Sequence, residues 1–362
     1  MKLLQLSTGD NVYRYEKSVV IFFEGKRKVL STSVYNGGYR EDITTVFNHD
    51  GTRGAGMASV MLAPTYDEHM RIIAKSIGLD PDTVTGMGTA ANMNNVAVKS
   101  MTYQDLTVTA IVTGGIEVNG GRVGDPADYY KPLPKEEKLG TINIFLIIDA
   151  DLPPGVLARA LVTCTEAKSA AIQELIAGSN YSNGLATGSG TDQTIVIANA
   201  ESPLYFEGAG KHSKLGELIG KTVIQAVKEA LHKQNGLNPT SQHDVLARLK
   251  RFGIKSENIW QKYCQAEENP VIKPKFLDVL EELKREAEIV TYASLYIHLY
   301  DQYLWQLLGE KEIISAGNKI LSFLAEFYQV EFIISEYSGS KNLMENLEDL
   351  LVKIMRKKLG SG

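Results

Sequence analysis

An α+β unit, a mixed sheet with packed helices, followed by an all-α unit is the fold class this sequence predicts. Of the 32 glycines in 362 residues, 26 fall within residues 1–236. Charged residues number 47 in those 236 and rise to 34 in the 126 that follow. The first region interleaves short apolar runs with long helical stripes, whereas the second keeps helical periodicity almost throughout. Asn235-Gly236-Leu237-Asn238-Pro239 supplies the breaker between them. Two domains, 1–236 and 237–362, are therefore expected, in line with about 150 residues per domain.

Taken in order, apolar runs 18–23 and 27–31 flank Glu24-Gly25-Lys26, a hairpin signal. Thr65-x-x-Glu68 reads as a capping box; Tyr66, Met70, Ile73 and Ile77 keep helical spacing, and Gly78 stops the helix. Runs 95–103 and 106–113 form a second strand pair, and 141–148 and 194–198 are further strands. A longer helix follows Pro153-Pro154 and ends near Gly178. A third begins near Ser213, its apolar stripe bordered by Gly216 and Gly220, which permit close approach of a neighbour. Beyond the breaker, Ser241-x-x-Asp244 marks a helix start and Gly253 a stop, with helices expected over 274–290, 292–308, 312–330 and 341–358.

A net charge of −5 and a pI near 5.8 argue against nucleic acid or an anionic membrane as partner. No apolar run approaches the roughly 18 residues of a membrane span. Met1-Lys2-Leu3-Leu4-Gln5 turns polar too soon for a signal peptide. Cys164 and Cys264 stand far apart without metal-ligand spacing, so a reducing, cytoplasmic setting and no metal site are expected.

The chemistry-bearing candidates are polar, glycine-rich segments at strand ends or helix starts, where backbone N–H groups stay unpaired. Ala186-Thr187-Gly188-Ser189-Gly190-Thr191-Asp192 stands directly before an apolar strand. The others are Ser31-Thr32-Ser33 with Asn36-Gly37-Gly38, Thr113-Gly114-Gly115 through Asn119-Gly120-Gly121, Gly140-Thr141-Ile142-Asn143, Thr165-Glu166-Ala167-Lys168, and Ala209 through Gly216 with His212. Each alone also fits an ordinary surface turn. Neither a P-loop nor a dinucleotide fingerprint is present, because the strand follows the glycines instead of preceding them. On the helix after Pro154, Lys168 shares a face with Leu157, Leu161, Cys164, Ile172 and Leu175, while Glu166 shares one with Arg159, Ser169 and Gln173. Lys168 is thus expected inward, either functional or snorkelling, and Glu166 solvated. His212, just before a helix, is a candidate proton carrier or a plain surface residue. Asp192 is a candidate base or an Asx-turn residue, and His69 is expected on the surface.

Together and in this order, these segments resemble the adenosylcobinamide amidohydrolase family over residues 20–232, with Ser189 where threonine is expected. The resemblance implies corrinoid salvage: hydrolysis of the amide joining the aminopropanol arm to the corrin ring. The substrate carries its own cobalt, so the protein needs no cofactor. It also implies that Ser31, Ser33, Asn36, Gly37, Gly38, Thr113, Gly114, Asn119, Asn143, Thr187, Gly188, Ser189, Gly190 and Thr191 line the substrate site. Glu166 or Asp192 would then activate water, and Lys168 or His212 would protonate the leaving amine. Ser31 or Ser33 as covalent nucleophile is the less favoured route, since no nucleophile elbow is readable. A corrinoid carrier or sensor without catalysis, and a site for an unrelated amide-rich or nucleotide ligand, are the competing readings. The region after 237 faintly resembles phosphatidylglycerophosphatase-A-type and α-ribazole phosphatase helical domains through Leu249-x-x-Phe252-Gly253-Ile254 and Asn258-Ile259. It lacks their glycine-rich, aspartate-bearing segments, so an inactive or structural bundle that dimerises into a homo-oligomer is the simpler expectation.

Overall fold

Along Thr141–Ile148, Ile142, Ile144, Leu146 and Ile148 enter one core, while Phe145 and Ile147 enter another. Such a strand is covered on both faces. The computed structural model describes residues 1–52, 61–127, 130, 140–334 and 343–360, and it divides into two units, Met1–Asn238 and Pro239–Gly362.

In the first unit two sheets stack face to face. One runs in the order β1 (Lys2–Gln5), β2 (Asn11–Tyr15), β3 (Ser18–Phe22), β6 (Thr45–Asp50), β7 (Val84–Thr89), with only β6 and β7 parallel. The other runs β5 (Gly38–Arg40), β4 (Arg27–Ser31), β13 (Gln193–Asn199), β11 (Thr141–Ile148), β9 (Leu106–Gly115), β8 (Ala97–Tyr103), with only β13 and β11 parallel. Between them lies a core of Val12, Val19, Ile21, Val46 and Met87 against Val29, Ile111, Phe145, Ile147 and Ile195. Helix α1 (Tyr66–Ser76) covers the first sheet through Met70, Ile73 and Ala74, and α2 (Pro154–Glu174) and α3 (Lys214–Asn235) cover the second. The layers are therefore helix, sheet, sheet, helices.

Two expectations are corrected here. Glu24-Gly25-Lys26 is not a hairpin: β3 pairs with β2 and β6, whereas β4 pairs with β13 and β5, so this turn crosses from one sheet to the other. Val19, Val20 and Ile21 of β3 and Val29 of β4 are buried apolar positions, and Arg27 anchors the crossing by a buried ion pair with Asp10 at 2.8 Å. His69 is buried, not on the surface, and its Nδ1 accepts from the Leu62 N–H at 3.1 Å. Strand β7 was not expected, and its sequence Val-Thr-Gly-Met-Gly-Thr has weak strand propensity. Tertiary packing holds it: a Cβ on Gly86 would lie 2.3 Å from the Phe47 ring.

The second unit is helical: α4 (Val245–Leu249), α5 (Ser256–Ala266), α6 (Lys273–Leu283), α7 (Ala287–Leu304), α8 (Glu310–Phe327) and α9 (Leu343–Lys358). Its core includes Leu249, Ile259, Tyr263, Phe276, Leu283, Tyr296, Leu321, Leu347 and Leu351. Asp244, rather than Ser241, caps α4 by accepting from the Leu246 and Ala247 N–H groups. The helix expected over 274–290 stops at Leu283, because the Val245 N–H takes the Lys284 carbonyl and Asp244 takes its amine at 2.9 Å. Helix α5 falls within the stretch expected to be helical, though no bounds were expected for it.

Candidate active site

The site is built where the inward-facing row of the second sheet turns polar. Thr113 of β9 lies opposite Asn143 of β11, which lies beside Gln193 of β13. Side chains alternate along a strand, so these three face the first sheet like Ile111, Phe145 and Ile195 two positions on. From the first sheet Asn48 faces them, two residues after inward Val46. Asn143 Nδ2 donates to Asn48 Oδ1 at 2.8 Å and to the Gly88 carbonyl at 2.9 Å. Asn48 Nδ2 donates to Thr113 Oγ1 at 2.7 Å. All three side chains are buried, so the network locks the two sheets at this end. One residue along, His49 faces the other way, with Ser18 Oγ 2.8 Å from its Nδ1. Burial holds its imidazole down at about 4, against a smaller opposing pull from Asp50.

Next to this seam a second cluster forms around Asp192. Its Oδ1 accepts from the Ile142 N–H at 2.8 Å and Ser189 Oγ at 2.6 Å, and its Oδ2 accepts from the Ser189 N–H at 3.0 Å and from Lys168 Nζ. Four donors fill the roughly four lone-pair positions of a carboxylate. The Lys168–Asp192 pair is mostly buried, with side-chain exposures of 12% and 11%. Gly188 makes room for it, since a Cβ there would lie 2.3 Å from Asp192 Oδ2 and 2.7 Å from Lys168 Nζ. The neighbouring Cys164 is fully buried, and burial pushes its thiol up to about 12, so it is no nucleophile.

The glycine-rich segments meet through a two-stranded ribbon, β10 (Gly120–Gly121) against β12 (Gly188–Ser189). Thr187 N–H donates to the Gly121 carbonyl at 2.8 Å, and Thr187 Oγ1 accepts from the Val123 N–H at 3.0 Å. Asn119 donates to the Gly140 carbonyl, as does Thr191 Oγ1 at 3.1 Å, and Thr141 Oγ1 donates to the Thr191 carbonyl at 2.8 Å. Gly114 is buried beside Ile142, and Gly190 is exposed at the turn. Thr113, Gly114, Asn119, Asn143, Thr187, Gly188, Ser189, Gly190, Thr191, Asp192 and Lys168 are thus brought together.

The remaining candidates stand apart from the Asp192 cluster in different degrees. Ser33 Oγ donates to the Gly86 carbonyl at 2.6 Å, and Ser31 Oγ accepts from the Ser33 N–H at 3.1 Å; both serines are buried along β7. Asn36 Nδ2 donates to the Pro81 and Val84 carbonyls, which staples the loop holding Gly37 and Gly38 to the start of β7. A Cβ on Gly37 would lie 1.8 Å from the Ser33 carbonyl oxygen. Glu166 lies on the exposed face of α2, 3.0 Å from Lys211 and 3.9 Å from Arg159. His212 is exposed and follows the far end of β13, in a loop that meets α2 where Thr163 Oγ1 donates to the Ala209 carbonyl. The glycines of that segment serve the start of α3: Ser213 caps it, and a Cβ on Gly216 would lie 2.0 Å from the Gly210 carbonyl oxygen.

Three residues at the seam were not anticipated: Asn48, Gln193 and Tyr66. The Tyr66 hydroxyl accepts from the Gly88 N–H at 2.9 Å and lies 3.5 Å from Gln193 Nε2. Only the inward phase of β6, readable from Val46, hints at Asn48. On either side of β10, Val118 and Val123 are exposed apolar side chains. Among the described residues no group of three or more His, Cys, Asp or Glu is placed to hold a metal ion, and no helix is long and apolar enough to cross a membrane.

A profile of adenosylcobinamide amidohydrolases matches residues 3–239. The chain belongs to the adenosylcobinamide amidohydrolase family. It is 28% identical over 227 residues to an adenosylcobinamide amidohydrolase of Methanosarcina mazei, covering 59% of this chain and 95% of that protein. It is 36% identical over 240 residues to an uncharacterized protein of Methanocaldococcus jannaschii, covering 62% and 90% respectively. A solved structure of a Pyrococcus horikoshii protein aligns over 70% of this chain and 89% of its own, at 12% identity and a TM-score of 0.29, too distant a likeness to speak to the fold.

Proposed function

We propose that this protein hydrolyses the amide joining the aminopropanol arm of adenosylcobinamide to its corrin ring, releasing adenosylcobyric acid and 1-aminopropan-2-ol. Convergence carries the reading: Thr113-Gly114-Gly115, Asn119, Gly140 to Asn143 and Ala186 to Asp192, far apart in sequence, gather at one end of the sandwich. A flat ligand edged with carboxamides needs many neutral donors and acceptors and apolar surface for its faces. The hydroxyls, amides and glycine backbone here, with exposed Val118 and Val123 on either side of β10, suit it.

The oxygen of water bonds to the amide carbon, the C–N bond breaks, and a proton passes to the departing amine. In this reading Lys168 is the catalytic cation and proton carrier. Asp192 is a positioning residue, because all four of its acceptor positions are taken. The exposed Gly190 backbone supplies an oxyanion donor. Ser31 and Ser33 are buried and engaged with β7, which disfavours them as nucleophiles. A second reading rests on Ser189, only partly buried and hydrogen-bonded to Asp192: its Oγ bonds to the amide carbon, the C–N bond breaks as the hydroxyl proton passes to the departing amine, and water then cleaves the ester so formed.

The test is release of 1-aminopropan-2-ol from adenosylcobinamide. Wild-type protein should release it, and Lys168→Met should lower kcat by about 10²–10⁴ with little change in KM. Binding without release would replace the hydrolase by a carrier. A trapped acyl-enzyme that disappears in Ser189→Ala would install the covalent route.

A further inference from the structure

We propose that the helical unit pairs with a second copy of this chain along α8, in an antiparallel, two-fold arrangement. Helices α7 and α8 form a hairpin whose inner side is packed tightly: a Cβ on Gly317 would lie 2.9 Å from the Tyr296 ring. The outer side is left open. Leu295 on α7 and Phe323 and Phe327 on α8 are 50%, 40% and 49% exposed. They do not lie scattered, as ordinary surface hydrophobics do. Tyr292 and Phe323 meet across the hairpin with ring centroids 4.3 Å apart, and Phe323 and Phe327 follow at 6.3 Å, one helical turn on. A contiguous aromatic row of this kind marks an association surface.

The charges on the row specify the occupant. Lys319 and Glu326 are exposed, seven residues apart, and flank Phe323 on one face of α8. Neither has an ion-pair partner among the described residues. A two-fold axis between Ser322 and Phe323 sets Lys319 of one copy opposite Glu326 of the other, and by symmetry forms that pair twice. The aromatic rings then straddle the axis, where fully desolvated anchors contribute most. The helix face is therefore complementary to itself in charge, and a second copy fits it better than an unrelated partner. This pairing is independent of what the first unit catalyses.

The experiment is light scattering of the full chain across a range of concentrations. A mass of two 39.8 kDa chains is expected for the wild type. Phe323→Glu with Phe327→Glu should give a monomer whose circular dichroism matches the parent. Lys319→Glu places like charges opposite each other twice and should weaken the dimer about tenfold or more. Lys319→Glu with Glu326→Lys should restore it. A wild type that is monomeric throughout, a dimer that survives the double glutamate change, or a charge swap that fails to restore pairing would each overturn the proposal.

Discussion

The two units bury different kinds of polar group. The sandwich unit buries mostly neutral ones: Ser31, Ser33, Asn48, Thr85, Thr113, Asn119, Thr141 and Asn143 all lie inside it. The helical unit buries Asp244, Arg251, Asp301, Asn346 and Glu348, four of the five charged. Those charges are staples: Arg251 grips Asp301 by two bonds of 2.7 and 2.6 Å, and Lys262 holds Glu348 at 2.8 Å. An ion pair joins two elements at one point. A row of amides and hydroxyls instead spreads donors and acceptors over a surface, which is what a ligand rich in carboxamides requires. Among the described residues the sandwich departs from this rule at two ion pairs: Arg27–Asp10, a staple where the chain crosses between sheets, and Lys168–Asp192, which stands beside that row and is where catalysis is proposed.

The largest expected effects test that contrast directly. Asp192→Ala leaves Lys168 and three further donors without a partner, and Arg251→Met leaves Asp301 buried and unpaired. Each should destabilise its unit by about 3–5 kcal/mol in urea unfolding. Only the first should abolish aminopropanol release; loss of specific activity in folded Arg251→Met would erase the distinction between site and staple.

Acid comes next. The His49 imidazole is held at about 4 in the folded chain, below the 6.5 of an ordinary histidine, so the unfolded chain takes up its proton first. Stability from this group is complete above pH 6.5, falls as pH drops, and is gone below about 4, a loss of up to about 3 kcal/mol. His69, also lowered by burial, acts in the same direction. Urea midpoints of the first unit should fall over this window, and less steeply in His49→Asn. A flat profile would place the acid sensitivity in the helical unit instead.

Asn143→Ala should cost about 1–3 kcal/mol, since Asn48 and the Gly88 carbonyl each lose a buried partner, and should raise KM as the seam loosens. The smallest effects belong to Glu166→Gln and His212→Gln. Both residues are exposed, so stability should stay within about 0.5 kcal/mol and aminopropanol release should persist. Abolished release in either variant would move the catalytic centre to the outer face of α2.

The sequence by itself determined the fold class, the strands with long apolar runs, and the capped helices, because these depend on periodicity and local capping. Thr65 does accept from the Glu68 N–H, and Gly78 and Gly253 do take positive φ. It also set Lys168 and Glu166 on opposite faces of α2, since helical phase is a local property. Tertiary structure alone decided that residues 24–26 cross between sheets, that β7 is a strand at all, and that Asn48 reaches Asn143 across the sandwich. The physical reason is the same in each case. A hydrogen bond between residues 48 and 143, or a phenyl ring lying over Gly86, leaves no periodic trace in either segment. Such contacts exist only once two sheets have stacked.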